Sequence, residues 1–267
     1  MTAQPVVRSE EPILLSDRVG DVVTLTLNRP DQFNALSDEL LAALAEALAD
    51  LAGDDSLRCL VIAGAGRAFC AGHDLRQMRG QPDETYYRAL FARCGEVMLA
   101  IAAFPVPVVA KVHGVATAAG CQLVAACDLA VAGESARFAV SGINVGLFCS
   151  TPAVPLSRAV GSKLALDMLF TGRFVSAAEA LAHGLVSRVA PDADLDAAID
   201  ALTGEIAAKS PLAIRTGKAM FARQAALPLD QAYAYAAGVM ARNMMAQDAG
   251  EGIDAFIGKR KPVWTGR

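Results

Sequence analysis

No apolar run in this 267-residue chain approaches the roughly 18–20 residues that span a bilayer, so no membrane-crossing segment is expected. Histidine is scarce: His73, His113 and His183 are the whole supply. None of the six cysteines (Cys59, Cys70, Cys94, Cys121, Cys127 and Cys149) forms a CxxC pair. A clustered zinc site therefore has little material, and no metal is expected. The cysteines sit in apolar or Gly/Ala-rich surroundings and read as buried reduced thiols. Basic excess is also missing. The 24 Lys and Arg face 28 Asp and Glu, a net charge of -4, which argues against a nucleic-acid surface. No GxxxxGK[ST] phosphate loop and no GxSxG elbow occurs. Gly64-Ala-Gly66 follows a strand-like run, but Phe69 stands where the dinucleotide fingerprint needs its third glycine. The stretch MTAQPVVRSEEPILL has no apolar block behind a basic start and carries Glu10 and Glu11. It reads as neither a secretory signal nor a transit peptide, which makes a cytoplasmic location the expectation.

What is present is apolar and alternating. At 54% hydrophobic, the chain suits one large α/β domain with a smaller appendage. Val22 to Asn28 is β-branched and alternating, and reads as a strand. Ser37 reads as the N-cap of a helix through about Leu51, with Leu40, Leu41, Leu44 and Leu48 on one face. Cys59 to Ala63 and Val108 to His113 are short buried-strand runs, and Leu129 to Ala132 and Arg137 to Val140 read as two more. The segment 73–83 reads as a polar, mobile loop, 84–103 as a helix, and 141–155 as a second loop rich in Gly, Ser and Pro. A helix over 161–170 closes at Thr171-Gly172, and Ser176-Ala-Ala-Glu179 has capping-box spacing. From about 197 the pattern is almost all helical, with breaks at Pro211, Pro228 and Gly250. The organisation expected is an α/β core over 1–197 and a C-terminal helical region over 198–267.

Two small-residue turns follow buried strands: Ala71-Gly72-His73-Asp74 and Ala118-Ala119-Gly120-Cys121. Tight packing alone accounts for such turns. So does a pair of backbone N–H groups left unscreened by bulky side chains, the second pair member at a helix start, where the macrodipole is positive. If the two converge, they form an oxyanion hole for an acyl oxygen.

Asn28-Arg-Pro-Asp-Gln-Phe-Asn-Ala-Leu36, Ala68-Phe-Cys-Ala-Gly-His-Asp-Leu75 and Val112-His-Gly-Val-Ala-Thr-Ala-Ala-Gly-Cys-Gln122 closely resemble the crotonase, or enoyl-CoA hydratase/isomerase, superfamily. Ala125 to Leu129, Phe170 to Gly172, Ala177 to Ala180, Gly184 to Val189 and Glu251 to Phe256 do so too, in the expected order from about residue 13 to 264. The resemblance implies a crotonase (ClpP/crotonase-like) spiral of ββα turns whose C-terminal helices build a homotrimer or a dimer of trimers. It implies an acyl-CoA thioester as partner, with no nucleic acid and no membrane. It implies no separate cofactor, since coenzyme A enters as part of the ligand. The family's oxyanion donors fall on the N–H groups of His73 and Ala119. Phe33 and Ala35, with Ala71, Gly72, Asp74 and Leu75, would hold adenine and pantetheine. Phe256 and Lys259 would approach the CoA nucleotide, from a neighbouring subunit; Lys259 by itself reads as a solvated charge in Lys259-Arg260-Lys261.

The departures matter most. Hydratases of this family carry one glutamate just after the second oxyanion turn and another in the following strand-loop, to orient water and move the proton. Those positions are Gln122 and Gly142 here. A third, where some isomerases carry aspartate, is Ser150. Among possible substitutes, His73 has an imidazole but also a plain role as an N–H donor. Asp74 is expected to tie its loop, Asp128 and His113 to be structural, and Cys149 lacks anything nearby in sequence to activate it. Three readings follow. One is an enoyl-CoA hydratase/isomerase of fatty-acid metabolism that polarises the thioester but hydrates poorly. The second is a non-catalytic acyl-CoA-binding or regulatory protein. The third is a different crotonase reaction, isomerisation or thioester hydrolysis. The helix expected over 229–247 places Tyr233, Ala237, Met240 and Met244 at core spacing, which suits burial against another subunit.

Overall fold

The computed structural model describes residues 12–267, so most of the N-terminal stretch read for a leader lies outside the described residues. Six strands form the larger sheet, in the order β1 (Leu14–Val19), β2 (Val22–Leu27), β3 (Cys59–Gly64), β4 (Val108–Val112), β6 (Leu129–Gly133), β9 (Arg188–Ala190). Only the β1–β2 pairing in it is antiparallel. A smaller sheet joins β5 (Val115–Thr117), β7 (Arg137–Ala139) and β8 (Val175–Ser176). Isolated bridges extend it through Cys70–Ala116 and on to Leu36–His73.

Each turn of the chain thus places one strand in the larger sheet, one short extended piece in the smaller, and then a helix. After β2 and Leu36 comes α1 (Asp38–Ala52). After β3 and the 70–73 piece come α2 (Leu75–Gly80) and α3 (Glu84–Ala102). After β4 and β5 comes α4 (Ala119–Ala126), and after β6 and β7 come α5 (Ser150–Ala159) and α6 (Ser162–Thr171). This is the expected spiral of ββα turns. Helix α7 (Ala177–Ala182) leads to β9, and α8 (Leu195–Ala207), α9 (Pro211–Gln224), α10 (Leu229–Met244) and α11 (Gln247–Ile257) form the C-terminal region.

The reasons are local first. Ser37 caps α1 by accepting from Leu40 N–H, and Leu40, Leu41, Leu44 and Leu48 are each no more than 2% exposed. Four such side chains supply roughly 1.5–3 kcal/mol apiece in lost apolar surface. The continuous run of β3 is buried on both faces: Leu60 and Ile62 point into the main core, while Cys59 and Val61 meet Leu195, Ile199 and Leu202 of α8. The helical stretch expected from about 197 accordingly starts at Leu195, already packed on the sheet.

Three expectations need correction. The loop expected at 73–83 contains α2, because the Asp74 carboxylate accepts from the N–H groups of Arg76 and Gln77 and Tyr87 Oη donates to the Met78 carbonyl. The loop expected at 141–155 contains a 3-10 turn over Ser141–Val145 and then α5. Pro152 falls in its first turn, where an N–H has no helical partner to lose, so only Pro155 removes a bond. Gly250 breaks nothing; it lies inside α11, and the chain turns at Met245-Ala246 instead. The edge strand β1 had no signature to find, since its residues after Leu14 are exposed and show no alternation.

Polar anchors hold the C-terminal region, among them Arg215 of α9, which donates to Asp55 Oδ1 and to the Asp54 and Asp55 carbonyls, and two that are better shielded from water. Lys218 of α9 donates to the carbonyls of Ile101 and Val106 and to Asp128 Oδ2 at 2.6 Å, and the same carboxylate accepts from Val108 N–H. The lysine side chain is only 11% exposed and Asp128 29%, so removing the ammonium leaves three acceptors short of a donor. Lys218→Met is expected to cost about 2 kcal/mol, below the 3–5 of a fully buried pair because water still reaches Asp128. A fall of about 4–8 °C in melting temperature should register it, and an unchanged melt would show the anchor to be dispensable. The second anchor is Asp248, 2% exposed, which accepts from Ser210 Oγ, Thr265 N–H and Gly266 N–H and so ties the chain end to α9 and α11.

Candidate active site

The segment after β2 is built around two left-handed residues, Phe33 (φ 51°) and Asn34 (φ 56°). Asn34 is fully buried: its Oδ1 accepts from Arg29 N–H, and its Nδ2 donates to the carbonyls of Ala65 and Ala68. Arg29 reaches across to donate to the Ala35 carbonyl and to Asp74 Oδ2. Burial raises the Asp74 pKa, but Arg29 and the Gln77 and Arg76 N–H groups outweigh it and hold the carboxyl below its ordinary range. Asp74 therefore ties its loop, as expected. The sequence pattern assigns no role to Arg29 or Asn34; the signal it offers is the spacing Asn28-Arg-Pro followed by a polar residue with no strand or helix to serve.

This scaffold brings the two small-residue turns together. Leu36 N–H donates to the Gly72 carbonyl and Asp74 N–H to the Leu36 carbonyl, so the intervening His73 N–H faces the other way. On that other side lies the 117–120 turn. Thr117 donates to Cys70 O through its N–H and to Ala71 O through Oγ1. A Cβ on Gly72, itself at φ +97°, would stand 2.9 Å from Ala118 Cβ and 3.2 Å from Ala119 N. A Cβ on Gly120 would stand 2.1 Å from the Cys70 carbonyl oxygen. Only glycine permits either approach. Ala118 adopts φ 49°, ψ −117°, a strained conformation for alanine that turns the chain into α4. The N–H groups of His73 and Ala119 donate to no acceptor among the described residues.

Gln122, one turn into α4, is 3% exposed, and its Oε1 has no hydrogen-bond partner. The His73 imidazole is packed edge-on against Phe91, ring centroids 5.5 Å apart, with neither ring nitrogen making a hydrogen bond. Burial pushes its pKa below the ordinary 6.5, so the ring stays neutral. The sign of the linkage follows. Stability is intact above the unfolded-chain value and is lost as pH falls through it towards the folded value. Urea stability is expected to drop as pH falls below 6.5, ahead of the carboxylate range, and to drop less in His73→Asn. Equal slopes for the two proteins would remove this account.

Gly142 lies in the 3-10 turn after β7. A Cβ there would meet the Leu147 carbonyl oxygen at 2.6 Å and Cys149 Sγ at 2.7 Å. Cys149 is itself buried, and burial pushes its thiol pKa up, so it has no thiolate to offer. Ser150 opens α5 with its hydroxyl bonded back to Phe148 O. His113 Nε2 is 2.8 Å from the Gly66 carbonyl and holds that loop. Of the remaining positions, Phe33 lies under the Arg67 guanidinium at 4.3 Å, Ala71 N–H donates to Phe33 O, and Leu75 is exposed at the start of α2. Phe256 and Lys259 sit apart, at and beyond the end of α11, which packs on α9 and α10; Phe256 is 85% exposed. Among the described residues, no group of three or more His, Cys, Asp and Glu side chains comes together as metal ligands would.

A spiral of ββα turns whose two small-residue turns pack closely at Gly72 and Gly120 defines a class, and comparison agrees. The sequence profile of the enoyl-CoA hydratase/isomerase family matches residues 17–267. The chain belongs to that crotonase family. It is 45% identical to "Enoyl-CoA hydratase domain-containing protein 3, mitochondrial" of Rattus norvegicus over 99% of this chain and 88% of that protein. The human protein of the same name is 44% identical over 97% of this chain and 86% of its own length. A crystal structure of enoyl-CoA hydratase from Mycobacterium smegmatis superposes with a TM-score of 0.94 at 59% identity, covering 95% of this chain and 99% of that one. The crystal structure of human enoyl-CoA hydratase domain-containing protein 3 gives 0.92 at 42% identity, over 95% of this chain and all of that one.

Proposed function

We propose that this chain binds an acyl-CoA thioester and polarises its carbonyl between the N–H groups of His73 and Ala119, while hydrating enoyl-CoA poorly. The observation that supports the reading is the close approach of Gly72 to the 118–119 turn, where an added Cβ would stand 2.9 Å from Ala118 Cβ and 3.2 Å from Ala119 N, together with two backbone donors left unengaged, one of them at a helix start. His73 serves through its backbone: its buried, unpartnered imidazole has no relay to deliver a proton. Gln122 and Gly142, in place of two carboxylates, leave orientation of the acyl group without acid/base chemistry. Isomerisation and thioester hydrolysis are weaker readings, because no carboxylate occupies Ser150 and Cys149 is held as a thiol. A non-catalytic acyl-CoA-binding role is the second reading that the missing carboxylates favour. The cytoplasmic expectation belongs to this proposal, although the curated relatives above carry mitochondrial names.

Assembly is part of the same proposal. Tyr233, Met240 and Met244, expected at core spacing, are 72%, 66% and 51% exposed, an apolar helix face that a second copy of the chain would cover. A trimer or hexamer follows, and in it Phe256 and Lys259 would reach a neighbour's nucleotide. The test uses one preparation. Calorimetry should show butyryl-CoA binding more tightly than free CoA, and light scattering should give three or six chains. No preference for the thioester would remove the oxyanion reading, and a monomer at micromolar concentration would remove the intersubunit contact.

A further inference from the structure

Asp38, the first residue of α1, is where three helices meet. Its carboxylate accepts from two residues set two turns apart on α3: Tyr86 Oη donates to Oδ2 at 3.1 Å and Arg93 Nη1 to Oδ1 at 2.7 Å. Its N–H donates to Gln77 Oε1 of α2 at 2.9 Å. Burial, and then the Asp38 carboxylate, raise the Tyr86 pKa to about 12, so the phenol remains a donor at neutral pH.

Both donors lie on the face of α3 that meets α1. Tyr86, Leu90, Arg93 and Val97 recur at helical spacing, with Leu90 and Val97 buried in the main core. A second face carries Phe91, Gly95, Met98 and Ala102 at the same spacing. Phe91 packs edge-on against the His73 imidazole. Gly95, Met98 and Ala102 line a cavity of about 1070 Å³ that borders Gln122 and is roofed by α9. Whatever fixes the rotation of α3 about its axis therefore fixes Phe91. Apolar contact holds α3 on α1, but it is non-directional and tolerates a small turn or slide. Two hydrogen bonds to one carboxylate, from residues about 10 Å apart along the axis, do not.

The register of α3 matters at His73. Neither ring nitrogen has a hydrogen-bond partner, so packing against Phe91 is what holds the imidazole in its rotamer. That ring stands beside its own residue's N–H, the donor proposed for the thioester oxygen. We infer that Asp38 is a positioning residue for the thioester site: through Tyr86 and Arg93 it sets the register of α3, and α3, through Phe91, keeps the His73 imidazole clear of the His73 N–H. The inference rests on the proposed oxyanion reading and adds to it a residue outside the site. The link is specific without being a mainstay of the fold. The Asp38 side chain is 22% exposed and that of Arg93 41%, so water replaces the bonds when they are lost.

Calorimetry of the full-length protein with butyryl-CoA and with free CoA tests this, and circular dichroism and melting check the fold. Asp38→Ala is expected to melt within about 5 °C of wild type. It should lose at least about tenfold of the preference for butyryl-CoA over CoA, with free CoA binding unchanged. Tyr86→Phe combined with Arg93→Met leaves the carboxylate in place and removes only its donors. This double variant should lose as much, and adding Asp38→Ala to it should lose no more, because all three changes break one link. It carries the test by itself if Asp38→Ala does not fold. The infrared stretch of the bound thioester carbonyl gives a second reading. Lowered by the oxyanion donors in wild type, it should return towards the free-ligand value in the variants. An unchanged preference and an unchanged stretch in the folded variants overturn the inference and leave the thioester site standing. So does an equal loss of affinity for butyryl-CoA and free CoA, the mark of general loosening and not of positioning. A wild type that binds butyryl-CoA no tighter than free CoA removes the site itself, and the inference with it.

Discussion

Crotonyl-CoA hydration by the wild-type chain is expected to run at least about 10⁴-fold below that of a family member with both carboxylates, because two positioned acid/base groups are worth ~10²–10⁴ each. Loss of the enoyl absorbance, followed with purified protein, measures it. The structure also decides how the deficit should be repaired. Gln122 already sits buried beside the cavity with its Oε1 unpartnered, so Gln122→Glu places a carboxyl without displacing anything. Burial would raise the pKa of that carboxyl and suit it to donate a proton. A gain of about 10² in kcat is expected from this single change. Gly142→Glu should add nothing. The obstacle at 142 is not a positive φ, which Gly142 does not have, but the Leu147 carbonyl and Cys149 Sγ within 2.7 Å of the new Cβ. The loop would have to move before the carboxylate could point inward. Wild-type turnover at ordinary enzyme rates would refute the reading and make His73 the next residue to replace.

Gly72→Ala is expected to weaken butyryl-CoA binding at least tenfold and to lower the residual kcat by about 10²–10³, the cost of one oxyanion donor. The added methyl meets Ala118 Cβ at 2.9 Å and Ala119 N at 3.2 Å, at a φ of +97° that alanine rarely adopts. The two turns must separate, and the donors no longer point at one oxygen. Gly80→Ala is the control: nothing lies within 4 Å of its Cβ, and helix α2 tolerates alanine there. A folded Gly72→Ala protein that binds butyryl-CoA as the Gly80→Ala protein does would show that the thioester lies elsewhere.

By itself the sequence determined the strands β2, β3, β4, β6 and β7, most helices and the family. Those signals are local: alternation, four leucines at helical spacing, and cap residues such as Ser37 and Gly172 that act within one turn. It also determined which chemistry is missing, since a residue type at 122 or 142 needs no coordinates to be read. Helix α2 and the Pro-bearing α5 were illegible because a carboxylate cap and a packed prolyl ring compete with composition on equal terms, and only neighbouring elements decide between them. The tertiary structure alone decided that Gly72 and Ala119, 47 positions apart, lie so close that a Cβ on the glycine would stand 3.2 Å from Ala119 N. The same holds for Arg29 clamping Asp74 and for Lys218 fastening α9 over the cavity. Each of these is a meeting of small or charged groups across the spiral, where the distance between two backbones, rather than any pattern along one of them, sets what can bind.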